Sequence, residues 1–218
     1  MMVQWTLPPL PEHHVHYTDL YYQWLSTRNP LWLERGVYGA LALKGGRVLE
    51  LACGDGFNAR NFYSIRSTHV LACDIDPTAI KRACRKNSAP NVEFVLSDIR
   101  SAMPEGQFDN VVWDAAIEHF TLEETDEILK NIKSRLTEDG MSNGHTMVAR
   151  SDGAKALDHH EYEFKGKEDL CRILSPHFKK VTVFETIYPS RHNLYFWASD
   201  ETVPFGTDWP SFVTSVHE

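Results

Sequence analysis

A chain of 218 residues, 42% of them hydrophobic, suits one compact domain with a substantial core. Its 22 lysines and arginines face 30 aspartates and glutamates, a formal net charge of -8, which argues against nucleic acid as a partner because no broad phosphate-attracting field results. Cys53, Cys73, Cys84 and Cys171 show no C-x-x-C or metal-ligand spacing, Met1 to Leu10 lacks the basic start of a signal peptide, and no apolar run is long enough for a membrane span. A cytoplasmic protein with reduced thiols is therefore expected.

In chain order, Met1 to His16 reads as irregular; His13, His14 and His16 have only Glu12 beside them and make no convincing metal set. A helix rich in tyrosine and tryptophan is expected from Tyr17 to Arg28, and Pro30 opens a second one to about Leu43. Residues 1–46 thus form a helical cap segment ahead of a domain at 47–200. Tyr17, Tyr21, Tyr22 and Trp24 suit its core or the lining of a pocket.

The most informative stretch is VLELACGDGFNAR, Val48 to Arg60. Val48, Leu49 and Leu51 read as a buried strand, Gly54 and Gly56 allow a tight turn with close backbone approach to a ligand, and Phe57 resumes helical spacing. The amides at that helix start suit a polar or anionic part of a nucleotide-like ligand. THVLACDID gives a second strand, with Asp74 placed where nucleotide-binding α/β folds hold ribose hydroxyls and Asp76 placed to cap the helix opening at Pro77.

NVEFVL and FDNVVWD are the third and fourth strands, ending near Asp98 and at Asp114. Strands ending in acids or a glycine loop argue for a parallel sheet whose polar rim is a site. Leu122 to Leu136 is an amphipathic helix, Glu138 to Gly140 a turn, and MSNGHTMVAR a fifth strand with Gly144 inside it. After a loop at Ser151 to Glu161 and a helix from Gly166 to Pro176, KKVTVFETIY and HNLYFWAS alternate as two strands joined by Pro189-Ser190-Arg191, an antiparallel hairpin closing the domain. The tail at 201–218 shows no period and is expected to dock on the domain or on a sister subunit of a homodimer.

ELACGDG, CDID, SDIRS and FDNVVWDAAIEHF, in this order and spacing, resemble the motifs of the class I methyltransferases that use S-adenosylmethionine, from about Arg47 to Ser199. The resemblance implies a Rossmann-like α/β fold: a seven-stranded, mostly parallel sheet with a reversed last strand and helices on both faces. It places Glu50 near the methionine end of S-adenosylmethionine, with Ala52, Gly54 and Gly56 under its backbone. Asp74 would hold the ribose and Ile75 pack on the adenine, Asp98 accept from the adenine amino group with Ile99 alongside, and Asp114 close the pocket. Ala52 departs from the glycine common there. A nicotinamide-dependent oxidoreductase shares the glycine loop and the ribose acid, and a non-catalytic cofactor-binding protein shares the fold.

Methyl transfer needs alignment more than acid-base machinery, with a base required when the acceptor arrives protonated. His119, just after the fourth strand, is the first candidate, followed by His145, His159 and His160, because imidazole titrates near neutrality. IEH, Ile117 to His119, also resembles the E-x-x-E-H segment of some metal-using O-methyltransferases, but Ala115 stands at the leading glutamate, so no metal is expected. Acidity and the histidine- and aromatic-bearing segments favour a polar small molecule as acceptor, methylated at O or N.

Overall fold

The computed structural model describes residues 31–150, 155, 158–189, 191–204 and 214–216. The expected helix at Tyr17–Arg28 and the histidines at 13, 14 and 16 lie outside them. Strands β1 (Arg47–Leu51), β2 (His69–Asp74), β3 (Val92–Leu96), β4 (Phe108–Asp114), β5 (Leu136–Met147), β6 (Lys180–Tyr188), β7 (Arg191–Ser199) and β8 (Thr214–Val216) form one eight-stranded sheet, ordered β3-β2-β1-β4-β5-β7-β6-β8. Every pairing is parallel except those of β7, which runs antiparallel to β5 and β6. The expected Rossmann-like sheet with its reversed strand is present. β8 adds a parallel edge strand from a tail that has no periodic sequence signal.

The central strands are buried on both faces, and their alternation sends neighbouring side chains into different cores. Val48, Val70, Ala72 and Val112 meet Leu43, Ala59 and Tyr63 on the face carrying α1 (Leu31–Leu41) and a short helical segment at Ala59–Tyr63. Leu49, Leu51, Val111 and Trp113 meet the opposite face, with Ile128, Leu129 and Ile132 of α3 (Leu122–Arg135) and Leu170 and Leu174 of α4 (Lys167–Leu174). Between them in sequence, α2 (Pro77–Lys86) begins where Asp76 accepts from the Thr78 amide at 2.7 Å and Pro77 needs no partner for its missing N–H. A capping box starts α3: Thr121 Oγ1 accepts from the Glu124 amide at 3.2 Å, and Glu124 returns an acceptor to the Thr121 amide at 3.0 Å.

Two boundaries differ from expectation. Glu138 to Gly140 is no turn ahead of the fifth strand; β5 starts at Leu136, and the register jumps from Phe108 opposite Leu136 to Asn110 opposite Met141, so these residues bulge within the strand. Arg191 is no turn residue either, since it pairs with Tyr188 and begins β7. No helix among the described residues is long and apolar enough to cross a membrane.

Glu34 ties α1 to the closing hairpin. Its carboxylate accepts from Thr186 Oγ1 at 2.6 Å, Tyr188 Oη at 2.5 Å, Asn193 Nδ2 at 2.9 Å and Tyr195 Oη at 2.5 Å. Tyr38, one turn on, packs its ring 5.0 Å from Phe184 and 4.7 Å from Tyr195. Replacing Glu34 by Ala strands several part-buried polar groups and should cost about 1 to 3 kcal/mol in urea unfolding; an unchanged midpoint would show that α1 docks through its aromatic contacts alone.

Candidate active site

Strand parity builds the site. Asp74, Glu50 and Asp114 lie in step with Ala72, Val48 and Val112, so all three acids point to the α1 face at the carboxyl ends of β2, β1 and β4. The register carries the same face across the sheet: Asp114 pairs with His145, His145 with Tyr195, and Asn193 and Arg191 follow on β7.

The glycine loop holds Asp74 as much as Asp74 holds the loop. Its carboxylate accepts from the Gly54 amide at 2.9 Å and the Asp76 amide at 2.8 Å, while Phe57 N–H turns back to Asp55 Oδ1 at 3.2 Å. Part of the amide set expected to face a ligand is therefore engaged within the protein. Gly56, at φ 74°, would place a Cβ 2.4 Å from the Phe94 ring, so only glycine fits. Ala52 adopts φ 53°, which explains why glycine is the easier residue there; Ala115, just past Asp114, has φ 50°. Two strained alanines on adjacent strand ends mark the rim where the chain leaves the sheet for its loops.

Asp114 is the electrostatic centre. Arg35 of α1 donates Nε at 3.0 Å and Nη2 at 2.6 Å to its Oδ2, and Asn58 Nδ2 donates to the same oxygen at 3.1 Å. The imidazole of His145 has Nδ1 3.5 Å from Asp114 Oδ1 and Nε2 3.2 Å from Asn193 Oδ1. Asn193 uses its Nδ2 on Glu34 and Thr186, which fixes Oδ1 as the acceptor and His145 Nε2 as the proton-bearing nitrogen. Burial, then Arg35 and Arg191, hold His145 well below the ordinary histidine pKa, so it is neutral, with the Nδ1 lone pair toward Asp114.

Glu50, 2% exposed, has Oε2 buried without a hydrogen-bond partner among the described residues. Burial, then Asp114, raises its pKa well above the glutamate range, with Arg35 opposing and Asp55 and Asp74 adding to the rise. A buried acceptor surrounded by acids suits a cationic ligand group.

The remaining expected residues divide. Ile75, 55% exposed, stands open beyond β2, whereas Ile99, 5% exposed, belongs to the opposite core with Met103. Asp98 is clamped by Arg100, whose Nε and Nη2 reach it at 3.0 and 2.7 Å; that hydrogen bonding keeps its pKa below the usual carboxylate range. His119 and His160 are not beside His145. They gather with Glu118, one ligand-capable atom of each within 4.8 Å of the others, and Glu118 accepts from Thr146, which alternates to the other face from His145. His160 Nδ1 is 2.7 Å from Glu163 Oε1. These are the described residues that could hold a metal ion; Ala115, at the leading position of the E-x-x-E-H resemblance, offers no ligand atom.

Residues 48–140 match the model of a family described as a methyltransferase domain. Over these residues, which are less than half of the chain, the protein is similar to that methyltransferase family. Among solved structures, the DhpI complex with S-adenosylhomocysteine (SAH) aligns with a TM-score of 0.65 at 22% identity, covering 84% of this chain and 88% of that one. The N-methyltransferase NodS from Bradyrhizobium japonicum WM9, also with SAH, gives 0.64 at 19% identity, covering 82% and 92%. A ribosomal protein L11 methyltransferase of Burkholderia orbicola (strain MC0-3) is 38% identical over 81 residues, which is 37% of this chain and 25% of the relative. The match thus spans about a quarter of that relative's length.

Sequence reasoning missed Arg35, Asn58, Asn193 and Arg191, because each is defined by a partner far away in the chain. Asn193 was findable as a polar residue at an inward position of an alternating strand. Removing Asp114 alone leaves Arg35 buried beside no counter-charge, so Asp114→Ala should cost about 3 to 5 kcal/mol, and Arg35→Met added to it should recover a large part. Additive losses in that double-mutant cycle would contradict the coupling.

Proposed function

We propose that the whole protein is an enzyme that moves the methyl group of S-adenosylmethionine to an oxygen or nitrogen of a polar small molecule by in-line displacement. The observation that carries the reading is the buried, unpaired oxygen of Glu50, on the same sheet face as Asp74 and Asp114. A ligand with an ammonium at one end and a ribose diol at the other would satisfy Glu50 and Asp74 together. Ile75 would cover the adenine, and Asp98 would accept from its amino group after partly releasing Arg100. Ala52, Gly54 and Gly56 would underlie the methionine and ribose.

Sulfonium chemistry sets the remaining demand. An acceptor's lone pair would attack the methyl carbon in line with the carbon–sulfur bond that breaks, with S-adenosylhomocysteine leaving, so placement by this chain would supply most of the acceleration. Asp114 closes this end of the pocket, and His145 is the base best placed to take a proton from an acceptor that arrives protonated. Its low basicity suits an acceptor whose proton becomes acidic only as the new bond forms. His119 and His160, on the other side of the rim, are assigned the weaker claim.

Arg35, Asp114, His145 and Asn193 gather as one polar cluster at this strand end, which supports a small polar acceptor. The net charge of -8 speaks against nucleic acid. The L11 relatives, by name, act on a ribosomal protein, which makes a protein acceptor the competing class. Turnover of labelled cofactor on a metabolite extract, with none on ribosomal protein, is expected; the reverse would overturn the small-molecule reading. A nicotinamide dehydrogenase would leave the buried acid at Glu50 unused.

Proton linkage tests the cofactor placement. In the ligand-free protein Glu50 holds its proton above the pH at which the unfolded chain has lost it, so its contribution to stability falls as pH rises through that window. An ammonium beside it favours the ionised form, so SAH binding should release a proton and strengthen as pH climbs through the same window. Titration calorimetry in buffers of different ionisation enthalpy should show that release, and Glu50→Gln should abolish it at a cost of about 1.5 to 3 kcal/mol in binding. Proton uptake, or identical behaviour of Glu50→Gln, would move the ammonium elsewhere. Asp74→Ala should weaken the same binding by about 1 to 3 kcal/mol.

A further inference from the structure

We propose that Arg191 is the seat of an oxyanion carried by the methyl acceptor, so that the acceptor is a small molecule bearing a carboxylate or a phosphonate-type group. This rests on the methyl-transfer reading above and names the substrate class of the same site.

Arg191 is the first residue of β7, on the face and at the strand end that hold Asp114, His145 and Asn193. Its Nε donates to Asn193 Oδ1 at 2.7 Å, and this oxygen also accepts a hydrogen bond from His145 Nε2 at 3.2 Å. The guanidinium is therefore one side chain away from the proposed base and held in register with it. Its two terminal nitrogens, with four N–H donors between them, have no acceptor among the described residues.

The carboxylates nearby are committed elsewhere. Asp114 is taken by Arg35 and Asn58, Glu34 by donors of the closing hairpin, and Glu118 by Thr146. None of them forms an ion pair with Arg191 among the described residues, although Asp114 and Glu118 are near enough to be felt by it, as is the like charge of Arg35. A half-buried guanidinium that feels the like charge of a second one, with both terminal nitrogens unfilled, is stabilised when an oxyanion completes it. Arginine is the side chain whose geometry matches such a group bidentately. An acceptor gripped there would present its remaining atoms toward Asp114 and His145, the end of the pocket at which the methyl group would arrive.

The test uses the full chain loaded with SAH, titrated calorimetrically with methylphosphonate, with acetate and with neutral acetamide at constant ionic strength. Saturable binding of at least one oxyanion, silence of acetamide, and at least a tenfold loss in Arg191→Gln with SAH affinity retained are expected. The stronger of the two oxyanions identifies the acceptor's group. Arg191→Lys keeps the charge and loses the fork, and should fall between the two; it also serves if Arg191→Gln fails to fold, which its melting curve and SAH titration would reveal. Absence of oxyanion binding in the SAH-loaded wild type, or equal binding by the folded variants, would overturn the assignment. Failure of SAH itself to bind would instead sink the methyl-transfer reading.

Discussion

The carboxylate of Asp114 is where the layers of this protein meet. Arg35 reaches it from α1, Asn58 from the segment after the glycine loop, and His145 lies against it from the neighbouring strand. A buried carboxylate is tolerable only when its charge is answered and its lone pairs are filled. Arg35 meets the first need and, with Asn58, the second. The consequence is positional: α1, the glycine loop and the β4–β5 pair cannot shift independently without exposing a buried charge, so the rim of the sheet is held in one arrangement.

Against that fixed centre, the rest of the site is deliberately incomplete in its polar pairing. Glu50 keeps an oxygen unmatched beside other acids, His145 keeps a lone pair, and Arg191 keeps its terminal donors. Ala52 and Ala115 hold left-handed backbone at the ends of adjacent strands. Groups that would be costly in a purely structural core are concentrated on one face, at the carboxyl ends of parallel strands. Open α/β sheets bind their ligands at such a rim. The same face carries acid toward β2 and guanidinium and imidazole toward β7.

Much of this rim was legible in the sequence because its signals are local. The apolar run before Gly54, the acids closing the strands and the cap at Asp76 each depend on neighbours within a few residues. What sequence could not supply was set by distant pairing. The bulge at Thr137–Gly140 looked like a turn because Gly and acidic residues punctuate the chain in either setting, and Arg191 looked like loop because proline and serine precede it. The separation of His119 and His160 from His145 follows from alternation along β5, where Thr146 and His145 face opposite sides. Ile99, placed by resemblance beside the adenine, was found in the core beneath α3, where its apolar character is already used.

The central claim is that Glu50, Asp74 and Asp114 serve one ligand from one face of the sheet. A crystal structure of the complex with SAH tests this most directly. The account predicts the ligand's ammonium within hydrogen-bond distance of Glu50 Oε2, its ribose diol on Asp74, and its sulfur directed toward the Asp114 and His145 end. SAH bound on the α3 face, or reversed so that the adenine meets Glu50, would contradict it.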